Sequence, residues 1–258
     1  MRRTLDPNRL IPGVLHKHKT PSYESHVQLL DRRFMYMRRV HQYVNGAEIV
    51  ETYTANWLVG FSSSQNPLIS IRSGSEWIQT EGSVGIFLPP FSIVGWRLRP
   101  GLNIWEALVS DLPLPTTTPT EPVLFKWNGI VPSGVSETFE LLSHLKNPVV
   151  VRQQRQTSSL ALAIKRRIDE SFTDELKISE VAAELDVSRV VMTRLFQRVY
   201  GLAPVEYRHR LRIFEALRLM NAGCDVTTAL FSAGFSDPSQ AIHHFKSILN
   251  ATPSRFRP

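Results

Sequence analysis

The sequence predicts an α+β chain of two domains: an antiparallel β-barrel or sandwich in front, then an all-helical domain with two helix-turn-helix units. Three observations carry this prediction. Short apolar runs separated by Gly, Pro, Ser and Asn crowd residues 34–127, the hydrophobic period turns helical after Ser159, and the helical part contains an internal duplication. At 258 residues the chain also exceeds the usual size of a single domain.

The apolar runs fall at 47–53, 56–62, 68–72, 76–80, 84–88, 93–98 and 103–109. Seven or eight short segments at close spacing, with no helical period between them, read as strands of an antiparallel sandwich or small barrel. The Pro/Thr stretch 112–122 cannot be helical and leads to one last strand at 123–127. At 136–146 the period changes: Phe139, Leu142 and Leu145, with Glu137, Glu140 and Lys146 opposite, make a short amphipathic helix. That apolar stripe is too short to stand alone and must pack on the sheet or on a symmetry mate, so it is also the candidate homodimer contact. Asn147, Pro148 and the polar run 152–159 then read as a linker, which divides the chain into a sensing and dimerising domain at 1–150 and a helical domain at 157–258.

In the helical domain ISEVAAELDVS, beginning at Ile178, aligns with VTTALFSAGFS, beginning at Val226, at an offset of 48. After one inserted residue, Phe196, Gly201, Pro204, Tyr207 and Arg208 align with Phe245, Asn250, Pro253, Phe256 and Arg257 at an offset of 49. The resulting units cover about 178–200 and 226–249. In the first, Ile178, Val181, Ala182 and Leu185 form the apolar stripe of one helix, Asp186 and Val187 the turn, and Ser188 the N-cap of the next helix, which stops at Gly201. In the second, Gly234 is the turn and Ser236 is the expected cap, with Pro238 in the first turn. Between the units, residues 206–221 read as a long connecting helix.

A helix of this kind fits the major groove of duplex DNA. The faces turned away from the apolar stripes hold the candidate base-reading residues: Val190, Thr193, Arg194 and Gln197 in the first unit, Ser239, Gln240 and His243 in the second. Arg189, Arg198, Arg208, Arg210, Lys246 and Arg257 are the candidate phosphate contacts. The net charge of +7 agrees with a polyanionic partner: residues 1–43 carry +6, residues 44–158 carry −2 and residues 159–258 carry +3.

These residues resemble a family. The last 100 residues or so are similar to the DNA-binding domain of the AraC/XylS transcriptional regulators, through Ser188, Met192, Arg194 and Phe196, then Gly201, Pro204, Tyr207, Arg210, Leu211 and Ala216. Gly234, Phe235, Phe245, Lys246, Pro253, Phe256 and Arg257 carry the resemblance through the second unit. It departs at Leu230, where the family usually has Ala, at His243, often Arg, and at Ile242, often small and polar. The resemblance implies that both second helices enter successive major-groove segments, that RNA polymerase is a partner of an activator, and that the front domain is a cupin-like sensor.

Other chemistries are poorly provided for. The segment GSVGIFLPPFSIVGW, starting at Gly82, is similar to the cupin segment in which Gly and Pro precede a histidine, but no histidine occurs between His41 and His144. Metal ligands, cofactor and catalytic residues are therefore not expected, and the chain is not expected to be an enzyme. The competing classes are a metal-free cupin-type enzyme and a helical interaction module that does not bind DNA. Cys224 is the only cysteine, which excludes a disulfide framework and CxxC motifs, and no apolar run approaches the roughly 18 to 20 residues of a membrane span. The expectation is a soluble cytoplasmic protein without a secretory signal. For the signal acting on the front domain, Trp57, Trp77 and Trp96 are the candidate lining of a site for an apolar small-molecule effector, and Arg38 and Arg39 the candidates for an anionic one; a protein signal is the alternative.

Overall fold

The computed structural model describes residues 16–20, 23–31, 33–43, 46–63, 69–72, 77–80, 83–151, 158–175, 177–249 and 252–256. The front part forms strands β1 (His16–Thr20), β2 (Tyr23–Asp31), β3 (Phe34–Tyr43), β4 (Ala47–Thr52), β5 (Trp57–Ser63), β6 (Ile69–Arg72), β7 (Ile78–Thr80), β8 (Val84–Leu88), β9 (Ile93–Leu98), β10 (Gly101–Ser110), β11 (Val123–Lys126) and β12 (Val149–Val150). They build an eight-stranded sheet of order β1-β2-β3-β10-β5-β8-β11-β12 and a four-stranded sheet of order β4-β9-β6-β7, with antiparallel pairing throughout. Among the described residues no ladder joins the two sheets, so of the two predicted architectures this is the sandwich.

Alternation along the strands makes two cores on the two faces of the large sheet. Leu58, Ile86, Ala107 and Val109 meet Ile69, Ile71, Val94, Trp96 and Leu98 of the small sheet. On the opposite face Trp57, Val59, Phe61 and Leu108 pack with Phe87, Phe125 and helix α1 (Val135–Ser143). Leu142 of α1 is buried, and the Phe139 ring lies 5.9 Å from that of Trp57. The stripe Phe139, Leu142, Leu145 thus packs on the chain's own sheet, one of the two placements expected for it. Val149 and Val150, between Pro148 and the polar run 152–159, pair with Leu124 and Val123 at the edge of the large sheet, as β-branched residues favour extended backbone.

The helical part comprises α2 (Ser159–Ser171), α3 (Ile178–Glu184), α4 (Arg189–Tyr200), α5 (Pro204–Asn221), α6 (Val226–Ser232) and α7 (Pro238–Leu249), then a 3₁₀ turn (Pro253–Phe256). Helix α5 serves two cores. Tyr207 and Leu211 join Ile164, Ile168, Val181, Met192 and Phe196 in the first unit, whereas Ile213, Ala216 and Met220 join Ala229, Leu230, Ala241 and Phe245 in the second.

The two parts meet along a seam. Ile93 belongs to the first unit's core, with Val50 and Phe91 packed against it. Phe91, at the tip of the turn between β8 and β9, has φ of +60° and sets its ring 6.1 Å from that of Phe172. Arg210 donates to the Val50 carbonyl at 2.8 Å, Arg218 pairs with Asp111 at 3.2 Å, and the Tyr53 and Phe214 rings stack at 6.4 Å.

Candidate nucleic-acid interface

Both second helices are set by local chemistry. The N–H of Val187 reaches back to the Ala182 carbonyl, and Asp186 takes a left-handed conformation with φ of +52°. At an offset of 48, Phe235 reaches the Leu230 carbonyl and Gly234 takes φ of +91°. The Ser188 hydroxyl accepts the Val191 N–H at 3.3 Å and so caps α4. The expected cap of α7, Ser236, is corrected: the Asp237 carboxylate accepts the Ser239 N–H at 2.8 Å. Ser236 is thus the extra residue, and from the caps onward the two helices correspond at an offset of 49.

That register compares the two faces position by position. On α4, Met192, Phe196 and Tyr200 are buried, and Val190, Arg194, Gln197 and Arg198 are exposed with Arg189 beside them and Thr193 at the margin. On α7, Ala241 and Phe245 are buried, while Ser239, Gln240, His243 and Lys246 are exposed and Ile242 is 37% exposed. Val190 thus corresponds to Ser239, Thr193 to Ile242, Arg194 to His243 and Gln197 to Lys246. At these four positions the first unit presents a guanidinium and a carboxamide, whose donors and acceptors match base edges in pairs, whereas the second presents single-point groups and carries its carboxamide, Gln240, at the position of Val191.

Three of the phosphate candidates lie open on these faces: Arg189, Arg198 and Lys246. Arg257 falls outside the described residues. Arg208 is half-buried, and burial holds its guanidinium below the ordinary value against the opposing pull of Glu180. Arg210 is corrected: besides the Val50 carbonyl it binds the Glu206 carboxylate at 2.9 Å, so it ties the front sheet to α5 and is not turned outward.

The front-domain candidates do not converge. Trp57 is a core residue, 1% exposed, whose Nε1 donates to the Leu112 carbonyl at 2.8 Å, and this corrects its reading as an effector contact. Trp77 lies under the guanidinium groups of Arg72 and Arg97, at 4.8 and 4.3 Å. Trp96 is buried edge-on to Trp105 at 5.2 Å, and its Nε1 has no hydrogen-bond partner among the described residues. Arg38 is buried within 3.5 Å of the buried Glu106, while Arg39 pairs with Glu51 at 3.3 Å. Adjacent strand residues point to opposite faces, so the two arginines form no common anion site. Among the described residues no three His, Cys, Asp or Glu side chains gather as metal ligands, and no helix is long and apolar enough to cross a membrane.

One cluster escaped the sequence reading. The His209 ring of α5 lies 3.9 Å from that of His244 on α7, with Phe235 stacked beyond. Burial, then His244, Arg208 and Arg212, lower His209 to about 4, and burial followed by His243 lowers His244. Only the i to i+35 separation of the two rings, too long for any periodicity to link, hid the pair.

Residues 181–258 match the family described as "Helix-turn-helix domain". The C-terminal helices are a helix-turn-helix domain of the AraC type. The transcriptional regulatory protein HptR of Staphylococcus aureus is 28% identical over 90 residues, 35% of this chain and 36% of its own length. The Msm operon regulatory protein of Streptococcus mutans is 25% identical over 128 residues, 48% of this chain and 46% of its own length. The chain therefore spans between about a third and a half of the relatives it matches. Across both parts the fold resembles the crystal structure of ToxT from Vibrio cholerae, with a TM-score of 0.51 at 13% identity, covering 88% of this chain and 97% of that one.

Proposed function

We propose that this protein is a sequence-specific regulator of transcription that binds duplex DNA through α4 and α7 and takes its signal through the front sandwich. The observation that carries this reading is the repeated unit itself: two capped helices, each with a buried apolar side and an open side of Arg, Gln, Thr, Ser, His and Lys. Val190, Thr193, Arg194 and Gln197 read bases in one groove segment, Ser239, Gln240 and His243 in the next, and Arg189, Arg198 and Lys246 hold phosphates. The regulatory relatives support the same reading. Activation through RNA polymerase rests on the family resemblance.

A gel-shift titration of the full chain at two salt concentrations tests it. If Arg189, Arg198 and Lys246 each neutralise a phosphate, log affinity falls against log salt with a slope of about −3. Absence of saturable binding to any duplex at low salt contradicts the reading.

A further inference from the structure

The open side of α4 carries two bare hydrocarbon side chains among its polar groups: Val190 and, one position round the helix toward Leu195, Val191, which is 52% exposed. Val190 stands on the first turn, 58% exposed, in line with Arg194 and Gln197 at i+4 and i+7. A valine in a helix is held to essentially one χ1 rotamer, so its two methyl groups are presented in a fixed place at little entropic cost. Arg189, Arg194 and Arg198 around it draw a polyanion onto this surface. Among base edges in the major groove, the apolar feature is the thymine 5-methyl group. A hydroxyl or amide at this position serves several bases, whereas an isopropyl group gains from a methyl and loses wherever it covers an unpaired donor or acceptor.

We propose that Val190 reads a thymine through its 5-methyl group; this rests on the DNA-binding reading above. The second unit supplies the contrast, because the same helix position holds the exposed Ser239. Ile242 corresponds to Thr193 and not to Val190, so any methyl dependence it brings falls at another base pair and persists in Val190 variants.

The test uses the full chain and a duplex selected from a random library, in which each thymine is replaced singly by deoxyuridine, a change that removes the methyl group alone. One replacement in one half-site should weaken binding about fourfold, the worth of one buried methyl-sized group. Val190→Ser should weaken binding to the thymine duplex by a similar factor and abolish the discrimination, Val190→Ile should keep it, and Arg194→Ala should weaken thymine and uracil duplexes alike. Melting temperatures equal to wild type confirm that the exposed substitutions leave the fold intact. A selected duplex that tolerates deoxyuridine at every thymine, or one in which every deoxyuridine loss survives in Val190→Ser, overturns the thymine assignment and leaves DNA binding standing. Failure to select any duplex overturns both.

Discussion

At the scale of residues, the paired rings of His209 and His244 make stability depend on pH. Both groups are held below the ordinary histidine value in the folded chain, His209 at about 4, chiefly by burial. The unfolded chain takes up protons near 6.5, so the stabilisation is fully present above that pH and is lost as the pH falls toward 4. Calorimetry should show a melting temperature that declines over this window, with a shallower decline in His209→Gln; identical slopes would remove the pair as a cause. A second residue-scale expectation concerns Gly234. A Cβ there would stand 2.3 Å from the Thr173 carbonyl oxygen, on a backbone at φ of +91°. Gly234→Ala should lower unfolding free energy in urea by at least about 2 kcal/mol, through the left-handed backbone and the clash together. The matched Asp186 already carries a Cβ, and Asp186→Ala should be far milder. The exposed faces of α4 and α7 were legible because helical period separates Arg194 from Phe196 without any tertiary knowledge. Arg210 was not legible, since its partner Val50 lies 160 residues away.

Among elements, α1 shows the same division between pattern and partner. Its apolar stripe is plain in the sequence, but what covers it depends on strand pairing that brings Trp57 beneath Phe139. Leu142→Ala should cost about 2–4 kcal/mol of stability, the usual result of truncating a buried leucine, with an unchanged mass in sedimentation. A stable variant with reduced mass would return the stripe to a subunit interface. The strand-rich character of residues 34–127 was likewise legible from its punctuation. The order of strands was not, because β10 lies between β3 and β5 only through long-range pairing. In the duplication, an alignment by residue type matches Ser236 with Ser188, whereas the backbone places the cap one residue later at Asp237. A serine and an aspartate side by side satisfy the cap pattern equally, and hydrogen bonding decides between them.

For the whole molecule, the seam joins the sandwich to the first unit and to α5, the helix that both units share. Phe91 holds a positive φ that costs an aromatic residue of order 1–3 kcal/mol, which the surrounding packing must offset. Lys165 lies over both its ring and that of Tyr207, and the Tyr207 hydroxyl donates to Asp169 at 2.5 Å. Phe91→Ala should therefore separate the unfolding of the sandwich from that of the helices, seen as two calorimetric transitions in place of one; an unaltered single transition would show that Ile93, Val50, Arg210, Arg218 and Phe214 hold the seam without it. The inequality of the two units is tested most directly by competition binding on a selected duplex against single-base variants of it, with Arg194→Ala and His243→Ala compared. Arg194→Ala should lose about 1–3 kcal/mol of discrimination at one base pair, and His243→Ala less, since a neutral imidazole offers one donor where a guanidinium offers a fork. Equal binding of selected and scrambled duplexes, or a larger loss at His243 than at Arg194, would contradict it.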